Sequence, residues 1–584
     1  MIPDVFTLEA LAAFYAQGGS PVAVAQAVLD RIAAYDDPAT WIYRPSKEAL
    51  LLAASSLAAL PAEKRGPLYG VPFAVKDNID VAGTPTTAAC PDAAYLPTES
   101  ATVVARLMEA GALFIGKTNL DQFATGLVGV RSPYGTPRNP FDSTFIPGGS
   151  SSGSAVAVSA GLVAFSLGTD TAGSGRVPAM FNNLVGLKPT CGMISTRGVV
   201  PACRSIDCVS IFALTVADAV AVLDVAAAYD PADPYSRSAP AQKSGSGSFR
   251  LGVPLPHQQE FLGDAAAAQR FEDVIADAGP VELIDIEPFL AIARLLYDGP
   301  WVSERTAALR TWVLEAPDSL HPTTRAILSA GLERRTVDAF DAFHQLALAK
   351  RTTAPIWDRI DALLLPTAPT IFRVEEVAAD PIGRNSALGR YTNFVNLMDL
   401  AALAIPTGFR PDGLPLGVTL VGPAWSDRHL AQIAEAMLRR NPHPLGASGI
   451  TPVPADHLAI VVVGAHMAGL PLNKQLTERR AIALGPCRTS ADYRFFRLPG
   501  TPARPGLVQV GTGGAAIDGE IWALPMAEVG GFLNLIPSPL GLGSVRLADG
   551  RILKGFLCEA VATADALDIT GYGGWRAAAS AGLV

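Results

Sequence analysis

Histidine is scarce in this sequence: there are seven in 584 residues, and none precedes His257. A serine nucleophile in the first half of the chain therefore has no imidazole near it in sequence. That lowers the odds of a Ser-His-Asp triad and leaves only a distant histidine to complete one. Cysteine is sparse too. Cys90, Cys191, Cys203, Cys208, Cys487 and Cys558 contain no C-x-x-C pair, which excludes a disulfide scaffold, and Cys203 and Cys208 read as buried thiols in a reducing compartment. Only 17% of residues are charged, the net charge is −9, and no long basic run occurs. Nucleic acid is disfavoured as a partner and small-molecule chemistry is favoured. Long apolar runs are also missing. The most apolar stretch, Ala155 to Gly168, is broken by Ser and Gly and falls short of the roughly 20 residues a bilayer span needs, so it reads as core. The opening MIPDVFTLEALAAFYAQGG has acids where a secretory signal carries positive charge, and it reads as an amphipathic helix of a cytoplasmic protein.

What the chain does have is apolar content, 49% of residues, enough for a large core and more than one domain. Helix-period segments alternate with short apolar runs, as in TVVARLMEAG then ALFIG, and SAVAVSAG then LVAFSLG. This alternation predicts an α/β domain whose sheet is covered by helices on both faces. The Pro/Ser/Gly stretch 230–248 reads as a loop inside that domain, because α/β patterning resumes at FRLGVPL. NPHPLGASGITPVPADH, 441–457, lacks periodicity and is rich in Pro and Gly, so it reads as a linker between a domain at 1–440 and a second at 458–584. The tail's strand-like pieces LAIVVVGAH, GEIWALP and RILKGFLCEAV predict a small α+β domain.

Two generic patterns lose on context. GALFIGKT, from Gly111 to Thr118, matches a P-loop expression, but a helical pattern precedes it and apolar ALFI fills the space where a phosphate loop must be open. GSSSG, with Ser151 at its centre, matches a nucleophile elbow, yet Pro147 and two glycines stand where the strand should be.

The dense glycines and hydroxyls of PGGSSSGSAVAVSAG and GTDTAGSGRVPA suit acyl transfer: a serine needs a base, and an oxyanion pocket of backbone N–H groups needs small residues around it. Without a nearby histidine, a buried lysine is the remaining base. GVPFAVKDNID places Lys76 at the end of an apolar run, where desolvation can neutralise it. The plain alternative is a strand-end lysine that snorkels to water.

GVPFAVKDNID, PGGSSSGSAVAVSAG, and GTDTAGSGRVPA followed by GLKPT resemble, in order and spacing, the landmarks of the amidase signature family. The resemblance implies that family's mixed central sheet over roughly residues 1 to 440. It also implies Ser174 as nucleophile, Ser150 as a bridging serine behind a cis peptide, and neutral Lys76 as the base acting through Ser150. Gly148 and Gly149 would let the chain bend at that bridge. Backbone N–H groups of Thr171, Ala172, Gly173 and Ser174 would form the oxyanion hole, with Asp170 and Arg176 bracing the loop. Two departures stand out: Ala172 replaces a common glycine, where a positive φ would be less comfortable, and Gly175 replaces a common apolar residue.

GTDTAGSGR and the two-domain layout are similar to the allophanate hydrolase branch of that family. This implies ammonia and CO2 as products, no metal or organic cofactor, a homodimer, a possible urea carboxylase partner, and no nucleic acid or membrane. Tyr297 and Arg305 would hold the substrate carboxylate, although Pro300 between them prevents helical periodicity from placing them on one face. A surface arginine on an ordinary helix is the plain alternative. The tail resembles the branch's C-terminal domain, itself similar to γ-glutamyl cyclotransferase-like folds. His466 is a candidate there for work on an N-carboxycarbamate intermediate, and Glu520 is a weaker one. A broad amidase, the ammonia-producing part of an amidotransferase, and a non-catalytic scaffold for urea carboxylase remain open.

Overall fold

A computed structural model describes residues 2–240, 249–454, 456–500 and 503–584; the last part of the expected loop, 241–248, lies outside them. The chain divides into two compact units, Met1–Leu438 with Pro444–Gly449, and Arg439–His443 with Ile450–Val584.

The first unit is built on an eleven-stranded sheet. In chain order its strands are β1 (Trp41–Tyr43), β2 (Pro72–Lys76), β3 (Leu113–Thr118), β4 (Phe165–Asp170), β5 (Val185–Lys188), β6 (Cys208–Ala213), β7 (Leu251–Pro254), β8 (Val281–Ile284), β9 (Ala362–Pro366), β10 (Leu400–Phe409) and β11 (Pro415–Pro423). They lie in the order β1-β3-β2-β4-β6-β5-β10-β11-β9-β7-β8. The sheet is mixed: β2 runs parallel to β3 and β4, whereas β4 and β6 are antiparallel.

Period-2 alternation explains how both faces are covered. Leu364 on β9, Ala401 and Leu403 on β10, and Leu420 on β11 enter one hydrophobic cluster, with Val24, Val28, Val103 and Leu107 from helices. Their sequence neighbours Leu363, Leu365, Ala402 and Val421 enter another, with Phe289, Leu290 and Ala293 from the helix Glu287–Asp298. In the helix Thr102–Glu109 the buried residues are Val103, Val104 and Leu107, the one-face spacing expected of a helix laid on a sheet.

β3 begins inside the P-loop look-alike, so residues 113–118 are strand and not phosphate loop. Lys117 there is buried and ion-paired with Asp77 at 3.1 Å. At the elbow look-alike, Ser151 stands just before the helix Ser152–Ser159. Its hydroxyl turns inward to donate to Thr169 O at 3.2 Å.

The second unit is β-rich, with its own hydrophobic core. Strands β12 (His457–Val462), β13 (Ile482–Arg488), β14 (Tyr493–Leu498), β15 (Arg504–Gln509), β16 (Asp518–Pro525), β17 (Leu540–Arg546), β18 (Ile552–Cys558) and β19 (Leu567–Asp568) form a five-stranded sheet, β13-β16-β12-β18-β17, and a three-stranded one, β15-β14-β19. Its helices are short, among them Lys474–Thr477 and Trp575–Ser580. The stretch 444–449 is not a free tether. Asn183 Nδ2 donates to Pro444 O at 2.6 Å and Gly446 O at 2.9 Å, and Ala447 N–H donates to Ser159 O at 2.9 Å.

Candidate active site

Lys76 is the last residue of β2, a strand buried throughout, and its side chain is fully enclosed. Its Nζ lies 2.7 Å from Ser150 Oγ and 2.8 Å from Thr169 Oγ1, donating to both hydroxyls when charged. Burial pulls its pKa from 10.5 down to about 7; Asp121, Asp170 and Asp207 favour the charge and Arg305 repels it. The sequence's plain alternative, a lysine reaching water, is overturned. The chain closes over β2 from several sides, and among the described residues the hydrogen-bond partners of the amine are the two hydroxyls.

Ser150 follows a cis peptide from Gly149. The segment is anchored on both sides: Gly149 N–H donates to Leu127 O at 2.8 Å, and Ser150 O accepts from Asp121 N–H at 3.0 Å. The Asp121 carboxylate in turn accepts from the N–H groups of Gly129 and Arg131, both at 2.9 Å. Glycine is required at 149, where a Cβ would stand 2.1 Å from Asp121 Oδ2 and 2.5 Å from Gly129 N.

The turn after β4 carries Ser174. Asp170, its carboxylate buried, receives Arg176 through two 2.9 Å bonds. Burial alone would raise this carboxyl, but the guanidinium holds it below the usual range. The same carboxylate accepts from Gly173 N–H and Gly175 N–H, both at 3.0 Å. Asp170 and Arg176 thus clamp the residues on either side of Ser174. One expectation is corrected here. Gly173 N–H points at Asp170 and is engaged, so of the four expected oxyanion donors the turn offers Thr171, Ala172 and Ser174. The positive φ also falls at Gly173, +133°, and not at Ala172, so alanine at 172 carries no backbone penalty. A Cβ at 173 would meet Thr392 Oγ1 at 2.4 Å. Ser174 Oγ donates a long bond of 3.4 Å to Gly126 O and none to Ser150.

Tyr297 lies in the last turn of the helix Glu287–Asp298 and Arg305 sits in the next helix, Trp301–Ala308. The break at Gly299 and Pro300 folds the arginine back, so that its Cζ lies 5.7 Å from the centre of the Tyr297 ring. Arg305 is 1% exposed, which overturns the surface-arginine alternative. Its Nη1 donates to Ala124 O and Thr125 Oγ1, each at 3.0 Å. Tyr297 also lines a cleft of about 360 Å³ with Leu290, Arg294, Arg390 and Asn393.

Three further residues stand in this site, of which only Thr169 falls inside a motif the sequence displays. Thr169 is the second partner of Lys76. Asp207 takes the Thr171 hydroxyl at 2.5 Å, and nothing in its local stretch RSIDC marks it. Asn396 donates to Asp170 O at 2.8 Å from more than two hundred residues away.

In the second unit, His466 stacks on Phe556 (4.8 Å, 19°), meets Phe532 edge-on, and pairs Nε2 with Gln475 Oε1 at 3.0 Å. Burial lowers its pKa. Glu520 is bound to Arg576 at 2.8 Å, Ala468 N–H at 2.8 Å and Trp522 Nε1 at 3.0 Å. It lines a pocket of about 510 Å³ with Arg488, Asp518 and Arg576, a lining that does not include His466.

The allophanate hydrolase C-terminal domain family matches residues 458–580. A solved structure of Kluyveromyces lactis allophanate hydrolase is 39% identical, covers 99% of this chain and all of its own, and superposes with a TM-score of 0.72. Urea amidolyase of Saccharomyces cerevisiae is 42% identical over 567 residues, 92% of this chain; the chain spans about a third of that relative's length. A glutamyl-tRNA(Gln) amidotransferase subunit of Symbiobacterium thermophilum is 36% identical over 65% of this chain and 84% of its own length. The Amidase family itself matches residues 23–431, a span that takes in β2 with its lysine, the Gly149–Ser150 bend and the clamped turn, and on that match the chain belongs to the amidase family.

Proposed function

We propose that the chain is an allophanate hydrolase, a cytoplasmic enzyme that releases ammonia from the terminal amide of allophanate. The observation that carries the chemistry is a fully buried Lys76, with a pKa of about 7, 2.7 Å from Ser150 Oγ. In its neutral form the amine takes the Ser150 proton while Ser150 takes that of Ser174, whose oxygen attacks the amide carbonyl. For this the Ser174 hydroxyl leaves Gly126 O and turns to Ser150. The N–H groups of Thr171, Ala172 and Ser174 receive the oxyanion. The proton returns through Ser150 to the leaving ammonia, and water then releases N-carboxycarbamate.

Arg305 and Tyr297 select the anionic substrate, Arg305 as a desolvated charge worth more there than in water. The match of the tail to the allophanate hydrolase C-terminal domain favours this branch over an amidotransferase. The second unit hastens loss of CO2 from N-carboxycarbamate, and its pocket lined by the Arg488–Asp518 and Arg576–Glu520 pairs is a more polar place for it than the aromatic surroundings of His466. A homodimer and a urea carboxylase partner complete the reading. The part of urea amidolyase that lies beyond this chain leaves room for such a partner.

The test is ammonia release from allophanate compared with urea, biuret, malonamide and glutamine. Allophanate should be preferred, and preference for any neutral amide refutes the carboxylate clamp.

A further inference from the structure

Behind the serine-bearing turn, on the other side of β6, lies a cluster that the chemistry above does not use. Cys208, the first residue of β6, pairs in register with Asp170 of β4. Its sulfur lies 3.4 Å from the sulfur of Cys191 and 3.4 Å from Nζ of Lys188, which is itself fully buried and reaches Cys191 Sγ at 3.9 Å. Cys191 is partly exposed and Cys208 is buried. We propose that Cys191 and Cys208 are a peroxide-reactive thiol pair that closes to a disulfide and thereby disturbs the turn that carries Ser174.

The environment separates the two thiols. The hydrogen bond from Cys208, helped by Lys188, brings Cys191 down to about 7 against its burial. Cys208, as the donor and the deeper of the two, is pushed up. A thiolate beside a cation, on a residue that is partly exposed, is the reactive kind of cysteine. The Cys191 thiolate attacks one oxygen of hydrogen peroxide, forming an S–O bond and breaking the O–O bond. The hydroxide released takes a proton from solvent, leaving Cys191 as sulfenic acid. Cys208 then attacks that sulfur, the S–O bond breaks, and hydroxide leaves as water with the Cys208 proton. Two thiols and one peroxide become one disulfide and two waters, and a thiol reductant reverses the change.

Closure must bring the sulfurs from 3.4 Å to about 2 Å. Cys208 cannot move independently of the site. Asn396 Nδ2 touches Cys208 Sγ at 3.8 Å while donating to Asp170 O at 2.8 Å and Ile206 O at 2.9 Å. Asp170 in turn holds Gly173 and Gly175 on either side of Ser174.

The experiment treats the full chain with low hydrogen peroxide, blocks free thiols and maps peptides under non-reducing conditions. A Cys191–Cys208 cross-linked peptide, lighter by two hydrogens and lost on dithiothreitol, is expected. Cys208→Ser should instead trap Cys191 as a dimedone adduct. Because that substitution falls in the buried core, Cys191→Ser, at the partly exposed position, serves as the second variant and should keep ammonia release insensitive to peroxide. In the unsubstituted protein, oxidation should lower ammonia release about tenfold, since small displacements of reacting groups cost at least that much, and dithiothreitol should restore it. Both thiols remaining blockable in folded, peroxide-treated protein overturns the proposal, as does a cross-link that forms only in urea. A reversible cross-link with unchanged ammonia release overturns the coupling to the turn. The peptide map does not depend on the identity of the substrate, so failure of the allophanate assignment would be seen separately.

Discussion

Lys76 ends among hydroxyls, with Ser150 and Thr169 as its hydrogen-bond partners, and this governs how its proton behaves. The shift from 10.5 to about 7 corresponds to about 5 kcal/mol between the charged and neutral forms. Below pH 7 folded and unfolded chains both hold this proton, and the full cost of burying the charge is present. Between about 7 and 10.5 the unfolded chain binds a proton the folded chain lacks, so stability from this group rises with pH through that window. Lys76→Met should therefore lose its base yet melt above the unsubstituted protein, with a larger gap at pH 6 than at pH 9; a melting temperature that is lower at both pH values refutes the desolvated lysine. Activity should fall as pH drops through about 7, when the base becomes protonated. Lys76→Ala should lose about 10²- to 10⁴-fold in ammonia release together with that pH limb, whereas Ser174→Ala should show none at any pH. Arg305→Gln should raise KM for allophanate by about 10- to 100-fold, the equivalent of one charge-assisted hydrogen bond, with little change for malonamide. Equal losses on both substrates would point to its bonds with Ala124 and Thr125 instead.

The turn after β4 and the helix break before Arg305 show where local pattern gives out. GTDTAGSGR marks a small-residue turn, but the pattern cannot say which residue takes the positive φ. Contact with Thr392, over two hundred residues away, and the Asp170 clamp decide that it is Gly173. Gly173→Ala should cost at least about 1 kcal/mol from backbone conformation alone and about 100-fold in activity through displaced Ser174. Ala172→Gly should change stability by under about 1 kcal/mol. Thermal melts and ammonia release on the two variants check the contrast, which fails if Ala172→Gly is the more damaging. Tyr297 and Arg305 are beyond the reach of periodicity because Pro300 ends one helix register and starts another. Only the packing of the second helix against 124–125 turns the arginine under the tyrosine ring.

At the scale of the whole molecule, each unit draws its core from its own residues, the first from the two clusters flanking the large sheet and the second from β12 and its neighbours. A chain ending at Gly449 should stay folded and release ammonia. One ending at Arg440 should melt lower, because the Asn183 amide loses its acceptors at 444 and 446 and an unpaired buried donor costs about 1–3 kcal/mol; equal melting temperatures would show that 444–449 contributes nothing. No helix among the described residues is long and apolar enough to cross a membrane. The sequence by itself determined the α/β alternation and the apolar run that ends at Lys76, because short-range periodicity is a local property, and its three motifs, two of them rich in glycine and hydroxyls, carried the family resemblance that implies roles for Lys76, Ser150 and Ser174. The tertiary structure alone decided that Lys76 is desolvated, that Asp170 claims Gly173 N–H, that Arg305 is buried beneath Tyr297, and that His466 stacks on Phe556 outside the lining of the Glu520 pocket. Burial, field and close approach are sums over segments that the chain places far apart, and only the folded molecule brings them together.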